Sequence, residues 1–340
     1  MKRITSTYEW KEYQRITNKK VIRRQNRKSE RSGRVNTYVE EHKRYFLTAK
    51  NPNEYTNLVA PDEFSFVSNT ENVLKYFAFA EKTISERKQI ILNISSIKRL
   101  TSDAIALLIA KITLRSFNRG IKIIGNAPRN EQLLNLFIQS GFYHYVQSKA
   151  PKLQTKPNLL LHKRTNHKVE PTIAKQACLI GIRHTFGNSE IYEPLYDILI
   201  EAMQNTNNHA GLERKGLYDW WLFVFNDPES KISSYSFLDL GVGIFESLPV
   251  KNWRRGILEA TGLTSNVNLV DRLISGEISS RTGKAERGKG IPQIYQCSTD
   301  KNIKEFIIVS NDVHANLKTK QYTKLSTTFG GTLLYWEIQP

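Results

Sequence analysis

Between residues 147 and 171 the hydrophobic periodicity of this chain lapses, and no other feature constrains its fold as much. Pro151, Pro157 and Pro171 fall there with Lys149, Lys152, Lys156, Lys163 and Arg164, and little apolar pattern remains beyond Leu159, Leu160 and Leu161. The segment reads as a linker. On either side the chain is patterned for packed structure. Its 340 residues exceed the roughly 250–300 that one core usually serves. An apolar fraction of 39%, with 15 Phe, 15 Tyr and 5 Trp, supplies two interiors and excludes a disordered or fibrous chain. The expected division is a basic arm at 1–55, an α/β domain at 56–147, a linker at 148–175 and a second α/β (α+β) domain at 176–340.

The net charge of +18 comes from 50 Lys and Arg against 32 Asp and Glu, and residues 1–50 hold 15 of the cations against 5 Glu. Lys19, Lys20, Arg23, Arg24, Arg27, Lys28, Arg31 and Arg34 form a run flanked by Tyr8, Trp10, Tyr13, Tyr45 and Phe46. Two readings stay open. The arm can meet nucleic-acid phosphates, with the aromatics stacking on bases, or it can be a solvated tail that meets an acidic protein. Cys178 and Cys297 are too few for a disulfide framework or a Cys-rich zinc site and fit a reducing compartment. The longest apolar stretch, about 104–112, contains Lys111 and falls short of the ~20 residues a bilayer requires. The N-terminus begins Met-Lys-Arg and continues polar, without the apolar core of a secretory signal. A cytoplasmic protein with no membrane partner is the expectation.

From 64 to 146, short β-like runs alternate with helical ones. Asn69 or Thr70 can cap a helix reaching Lys82, and 89–94 (Gln-Ile-Ile-Leu-Asn-Ile) reads as a buried strand. Thr101 and Ser102 can cap a helix over 103–117, in which Ile105, Leu108, Ile109 and Ile112 recur at helical spacing and which Gly120 ends. A strand at 121–124 and a helix at 131–140 stopped by Gly141 follow. The order strand 90–94, loop Leu100-Thr-Ser-Asp103, long helix, strand 121–125, then Leu133, Leu136, Phe137, Ile138 and Ser140-Gly141-Phe142 resembles a STAS domain, the fold of bacterial anti-sigma-factor antagonists. Asp103 stands where that family carries its phosphorylatable serine, so the resemblance does not imply a phosphorylation switch there. Thr101 and Ser102 are read as helix caps.

The chemistry is concentrated further on. In 194–210, Leu195, Ile198, Leu199, Ala202 and Thr206 share one helical face, while Glu201, Asn205 and Asn208 or His209 recur along an adjacent stripe. A half-buried carboxylate and amides without partners cost about 1–3 kcal/mol each, and Mg²⁺ with its phosphates would satisfy them. A strand at 235–238 (Tyr-Ser-Phe-Leu) runs into Asp239-Leu-Gly-Val-Gly243, placing a fixed carboxylate beside a backbone that a flat ligand can approach. After a helical run at 267–275, a loop with Gly276, Arg281, Gly283, Lys284 and Arg287 leads to Gly288-Lys289-Gly290-Ile291 and a new helix. Glycines at a helix start offer free N–H groups to phosphate. Strands at 306–309 and 332–338 close the pattern, the second entered through Phe329-Gly-Gly-Thr332.

Glu201 and Asn205, then Asp239, Gly241 and Gly243, then Gly288 and Gly290, then Gly331-Thr332, in that order, closely resemble the N-box, the G1 and G2 boxes and the terminal Gly-Thr strand of the GHKL ATPase superfamily. That family includes gyrase, MutL, heat-shock chaperone ATPases, histidine kinases and anti-sigma serine kinases. The resemblance implies a Bergerat-type α/β sandwich over about 185–340, with ATP under a lid at about 277–289. It assigns Mg²⁺ to Asn205, with Asn208 beside it, the adenine amino group to Asp239 with support from Thr332, and the general base to Glu201. Gly288, Lys289 and Gly290 would cradle phosphates, and Arg281 and Lys284 would clamp their charge. His209-Ala210 ends the N-box as in the anti-sigma kinases. Slow ATP hydrolysis that drives assembly with a protein partner, a homodimer included, is the leading expectation. The alternatives are a protein kinase of a partner-switching system and an ATP-gated module of a bacterial conflict system that meets nucleic acid through residues 1–50. No phosphoacceptor histidine helix precedes the second domain, since His162 and His167 lie in the linker.

Overall fold

Strand β7 (Trp220–Asn226) reads Trp-Trp-Leu-Phe-Val-Phe-Asn, and six of its seven residues are buried. A strand that is apolar at consecutive positions needs cover on both faces, and the whole architecture supplies it. The computed structural model describes residues 55–114, 123–146, 159–164, 169–209, 219–248, 265–278 and 290–340, with the side chains of 159–164, 208 and 209 excepted. The fold is mixed α/β. The first half gives β1 (Tyr55–Val59), β2 (Glu63–Phe64), α1 (Thr70–Ser85), β3 (Gln89–Asn93), β4 (Arg99–Leu100), α2 (Ser102–Thr113), β5 (Ile123–Gly125) and α3 (Glu131–Gln139). Strands β1, β3 and β5 form a parallel sheet in that order, and β2 pairs parallel with β4.

The second half gives β6 (Leu159–Arg164), α4 (Pro171–Thr185), α5 (Glu193–His209), β7, β8 (Ser233–Asp239), α6 (Ile244–Ser247), α7 (Val270–Ser275), α8 (Gly290–Ser298), β9 (Ile303–Asn316) and β10 (Gln321–Ile338). Its five-stranded sheet runs β6-β7-β8-β10-β9, antiparallel throughout. Side chains alternate between two cores, as the pleat requires. Trp220, Leu222, Val224, Phe237, Leu334 and Trp336 face α4, α5 and α8, while Trp221, Leu238, Val309 and Leu333 face the first half. On the α4 side the aromatics stack, Trp220 on Phe237 at 5.5 Å and Trp336 between Tyr235 and Phe306. Gly181 lets α4 press onto this surface, since a Cβ there would lie 1.9 Å from Tyr235 Oη.

On the other face, α2 packs on β7 and β8 and α1 on β10. Ten of the 12 residues of α2 are buried. That explains a helix apolar nearly all round rather than along one stripe: Ile105 and Leu108 join the core shared by the small sheet and the large one, and Ala106 meets Phe223. Thr101 and Ser102 were expected to cap α2, but Thr101 at the cap position makes no capping side-chain bond. Asp103, 1% exposed, instead accepts the backbone N–H groups of Phe66 at 2.6 Å and Val67 at 3.0 Å. It ties the loop before α1 to the first turn of α2, where the helix dipole favours a carboxylate. Burial nevertheless raises its pKa.

Several boundaries differ from expectation. The linker placed at 148–175 holds β6, paired antiparallel to β7, and the first turn of α4. Proline and cations, which suggest a linker, are also what an edge strand carries, and Pro171 is at N1 of α4, where its missing N–H costs nothing. Helix α2 stops at Thr113, and residues 115–122, with Gly120, lie outside the described residues, as do the basic arm and most of the expected lid. Strand β10 extends back to Gln321, well before the expected start at Thr332, because it forms a long hairpin with β9. No helix among the described residues is long and apolar enough to cross a membrane.

Replacing Asp103 with Ala leaves one buried and one half-buried N–H group unpaired and is expected to cost about 2–4 kcal/mol in urea unfolding, with Asp103→Asn losing less than half of that. A loss for Asp103→Ala within about 0.5 kcal/mol, the range of an ordinary surface change, would contradict this role.

Candidate functional site

Strand β8 ends at Asp239, and segments far apart in sequence converge on that end. Thr332 of β10 pairs with Asp239 in the ladder. The carboxylate, 6% exposed, accepts the Gly241 N–H at 2.8 Å on Oδ1, and the Thr206 hydroxyl of α5 lies 3.3 Å from Oδ2. Burial pushes its pKa up to about 6, although the donors from Gly241, Thr206 and Thr332 pull it down. A further N–H donor at this carboxylate would favour its charged form again.

In front of Asp239 opens a cleft with a cavity of about 70 Å³ that is continuous with solvent. Five residues expected from the sequence line it: Asn205 from α5, Asp239, Gly243 from the turn after β8, Gly290 at the start of α8, and Thr332. Phe237, Leu334, Ile244, Leu273 and Ile278 supply apolar walls. An apolar slot with a few convergent polar groups is the common form of a small-molecule site. Two glycines bring the backbones close enough. A Cβ on Gly290 would lie 2.5 Å from Asn205 Oδ1, and one on Gly331, at φ 140°, would lie 2.2 Å from the Asp239 carbonyl oxygen.

The other expected residues are placed differently. Gly241 lies in the turn and serves Asp239 through its N–H. Glu201, one helical turn before Asn205, is not among the residues lining the cleft. Burial, followed by the negative charge of Asp197, raises its pKa, and it lies within electrostatic reach of Cys297 on α8. Asn208 continues the backbone of α5, and its side chain lies outside the described residues. Arg281, Lys284, Arg287, Gly288 and Lys289 lie outside them altogether.

The Asn205 amide is the most telling group. Its Nδ2 is buried without a hydrogen-bond partner among the described residues, a condition that costs about 1–3 kcal/mol unless something fills it. The two ends of an amide exchange by a half-turn of the side chain, so either a donor or an oxygen can be presented there. An oxygen would suit a hard cation such as Mg²⁺, which takes one or two protein ligands and completes its shell with phosphate oxygens and water. No group of three or more His, Cys, Asp or Glu is gathered for a metal among the described residues, so a cation held by Asn205 would depend on such outside oxygens.

Sequence reasoning missed three contributors. Thr206 was counted only as part of the apolar face of its helix. Ser310 and Asn311 were passed over because the expected strand ended at 309, although a polar pair directly after the run Phe306-Ile-Ile-Val309 was the available signal. Both are buried beneath the turn after Asp239. No protein-family model matches this chain, and no curated protein matches it. Gly331→Ala should cost about 3 kcal/mol in urea unfolding, because it combines a disfavoured φ with a backbone collision. A variant as stable as the wild type would show that the close approach of β10 to Asp239 is not needed.

Proposed function

We propose that this chain binds ATP with Mg²⁺ in the cleft before Asp239. In this reading 176–340 forms a GHKL domain with the Bergerat-type sandwich, and a STAS-like unit precedes it. Nucleotide-dependent closure of the segment joining α7 to α8, with slow hydrolysis, controls assembly with a protein partner. The observation that supports the reading is the convergence of Asn205, Asp239, Gly243, Gly290 and Thr332 on one cleft from four segments spread over much of the second half.

The residues divide the work by their chemistry. Asp239 accepts the exocyclic amino group of the base, and Thr332 and Thr206 hold the carboxylate in place. The apolar walls exclude water from the ring. Asn205 holds the cation, which offsets phosphate charge, and the N-terminus of α8 at Gly290 turns its N–H groups to phosphate. Glu201 takes a proton from water as its oxygen bonds to the terminal phosphorus and ADP leaves. Burial raises the Glu201 pKa, the direction that makes a carboxylate a stronger base. Glu201 does not line the cleft in this structure, so its part in the reaction rests on its spacing from Asn205.

A kinase acting on its own STAS-like unit is disfavoured by one observation. Asp103, at the position of the family's target serine, is buried in the first turn of α2, the helix that packs on the face of the large sheet opposite α5.

Asp239→Ala should weaken ATP by about ten- to a hundredfold in calorimetric titration, matching the ~1.5–3 kcal/mol of a hydrogen bond to a charged group; unchanged affinity would refute the pocket. Glu201→Ala should retain ATP binding and lose phosphate release. Persisting turnover would assign the base elsewhere.

A further inference from the structure

We infer that Ser310 and Asn311, a polar pair on β9, are positioning residues of the nucleotide cleft: they cap, from a distant strand, the turn that follows Asp239. The inference rests on the ATP-binding reading. It begins where β9 leaves its regular ladder with β10, at register shifts on either side of Phe329. Asn311 there takes φ 53°, a left-handed backbone that Asn tolerates better than most side chains.

Its side chain, in a residue only 3% exposed, is turned toward residues 242–246. Oδ1 accepts the N–H groups of Phe245 at 3.0 Å and Glu246 at 3.3 Å, and Nδ2 donates to the Val242 carbonyl at 2.8 Å. Ser310 Oγ accepts the Ile244 N–H at 2.8 Å and donates to the Gly331 carbonyl at 2.9 Å. The first N–H groups of a helix have no partner within it, and here the pair takes all three at the start of α6. The fit leaves no slack. Gly243 has φ 84°, and a Cβ on it would lie 2.5 Å from Asn311 Oδ1.

Gly243, Ile244 and Ser247 line the cleft, whereas Ser310 and Asn311 do not. The pair therefore acts through the wall it supports. Through Gly331 it also links that wall to Thr332, which faces Asp239 across the ladder. A ligand between these elements meets a turn whose height is set by the amide of Asn311.

The test is calorimetric titration of Mg-ATP into the full chain and into Asn311→Gly, Asn311→Asp and Ser310→Ala, with a urea unfolding curve for each. Asn311→Gly keeps the backbone conformation and deletes the cap, and should weaken ATP at least about tenfold. Asn311→Asp keeps the acceptor for Phe245 and Glu246 but turns a carboxylate oxygen toward the Val242 carbonyl, and should bind ATP more tightly than Asn311→Gly and more weakly than the wild type. Ser310→Ala should lose about three- to tenfold. A merely structural pair would lower the unfolding midpoint while the folded variants kept wild-type affinity, and that result overturns the inference. Should Asn311→Gly fail to fold, Ser310→Ala decides, and wild-type affinity in that variant overturns it as well. A wild-type chain that binds no ATP overturns the ATP reading and this inference with it, whereas normal binding in the wild type and all variants overturns this inference alone.

Discussion

Strands β7 and β8 of the five-stranded sheet have no face to spare for solvent, and the rest of the structure follows from that. All seven residues of β8 and six of seven in β7 are buried, so two helical layers are required, one on each side. The second half of the chain provides one, in α4, α5 and α8. The other is borrowed from the first half, whose α1 and α2 are covered on their far side by the small parallel sheet. The two halves thus share a core. Each large buried aromatic removes about 150–250 Å² from water, and Trp221, Phe329 and Phe66 lie in this shared region.

That arrangement places the first half in contact with the elements that build the cleft. Phe66 meets Phe329 edge-on at 5.0 Å, and His314 Nε2 lies 3.0 Å from the Val67 carbonyl. Glu71, in the first turn of α1, accepts the Ser326 N–H at 3.0 Å and the hydroxyls of Ser326 and Thr327. All of these contacts fall on the β9–β10 hairpin, which carries Ser310 and Asn311 on one strand and Gly331 and Thr332 on the other. Asp103 holds the loop from which Phe66 and Val67 reach out. Its carboxylate is the acceptor that this loop needs for two N–H groups.

The site was legible in the sequence where polar residues and glycines interrupt apolar runs. Asn205 on an amphipathic helix, Asp239 at a strand end, and the glycines at 243, 290 and 331 stand out because each breaks a pattern for a reason the structure supplies: a donor or acceptor facing the cleft, or a backbone approached too closely for a Cβ. What stayed hidden depends on contacts between distant segments. Strand β7 received no assignment because burial on both faces erases the alternation that marks a strand. Strand β6 reads as linker in the sequence because an edge strand and a linker share prolines and lysines. Asn311 supports a turn many residues earlier in the chain, a relation that no local pattern encodes. Glu201 matched its motif by spacing alone, and spacing along one helix does not determine which side of that helix borders the cleft.

The central claim is that the space before Asp239 is a nucleotide site, and a crystal structure of the full chain grown with Mg²⁺ and a non-hydrolysable ATP analogue tests it most directly. The account predicts the base against the Asp239 carboxylate, with the phosphates between Asn205 and the start of α8. A nucleotide bound elsewhere, or this cleft filled by its own side chains in crystals saturated with the analogue, would contradict it.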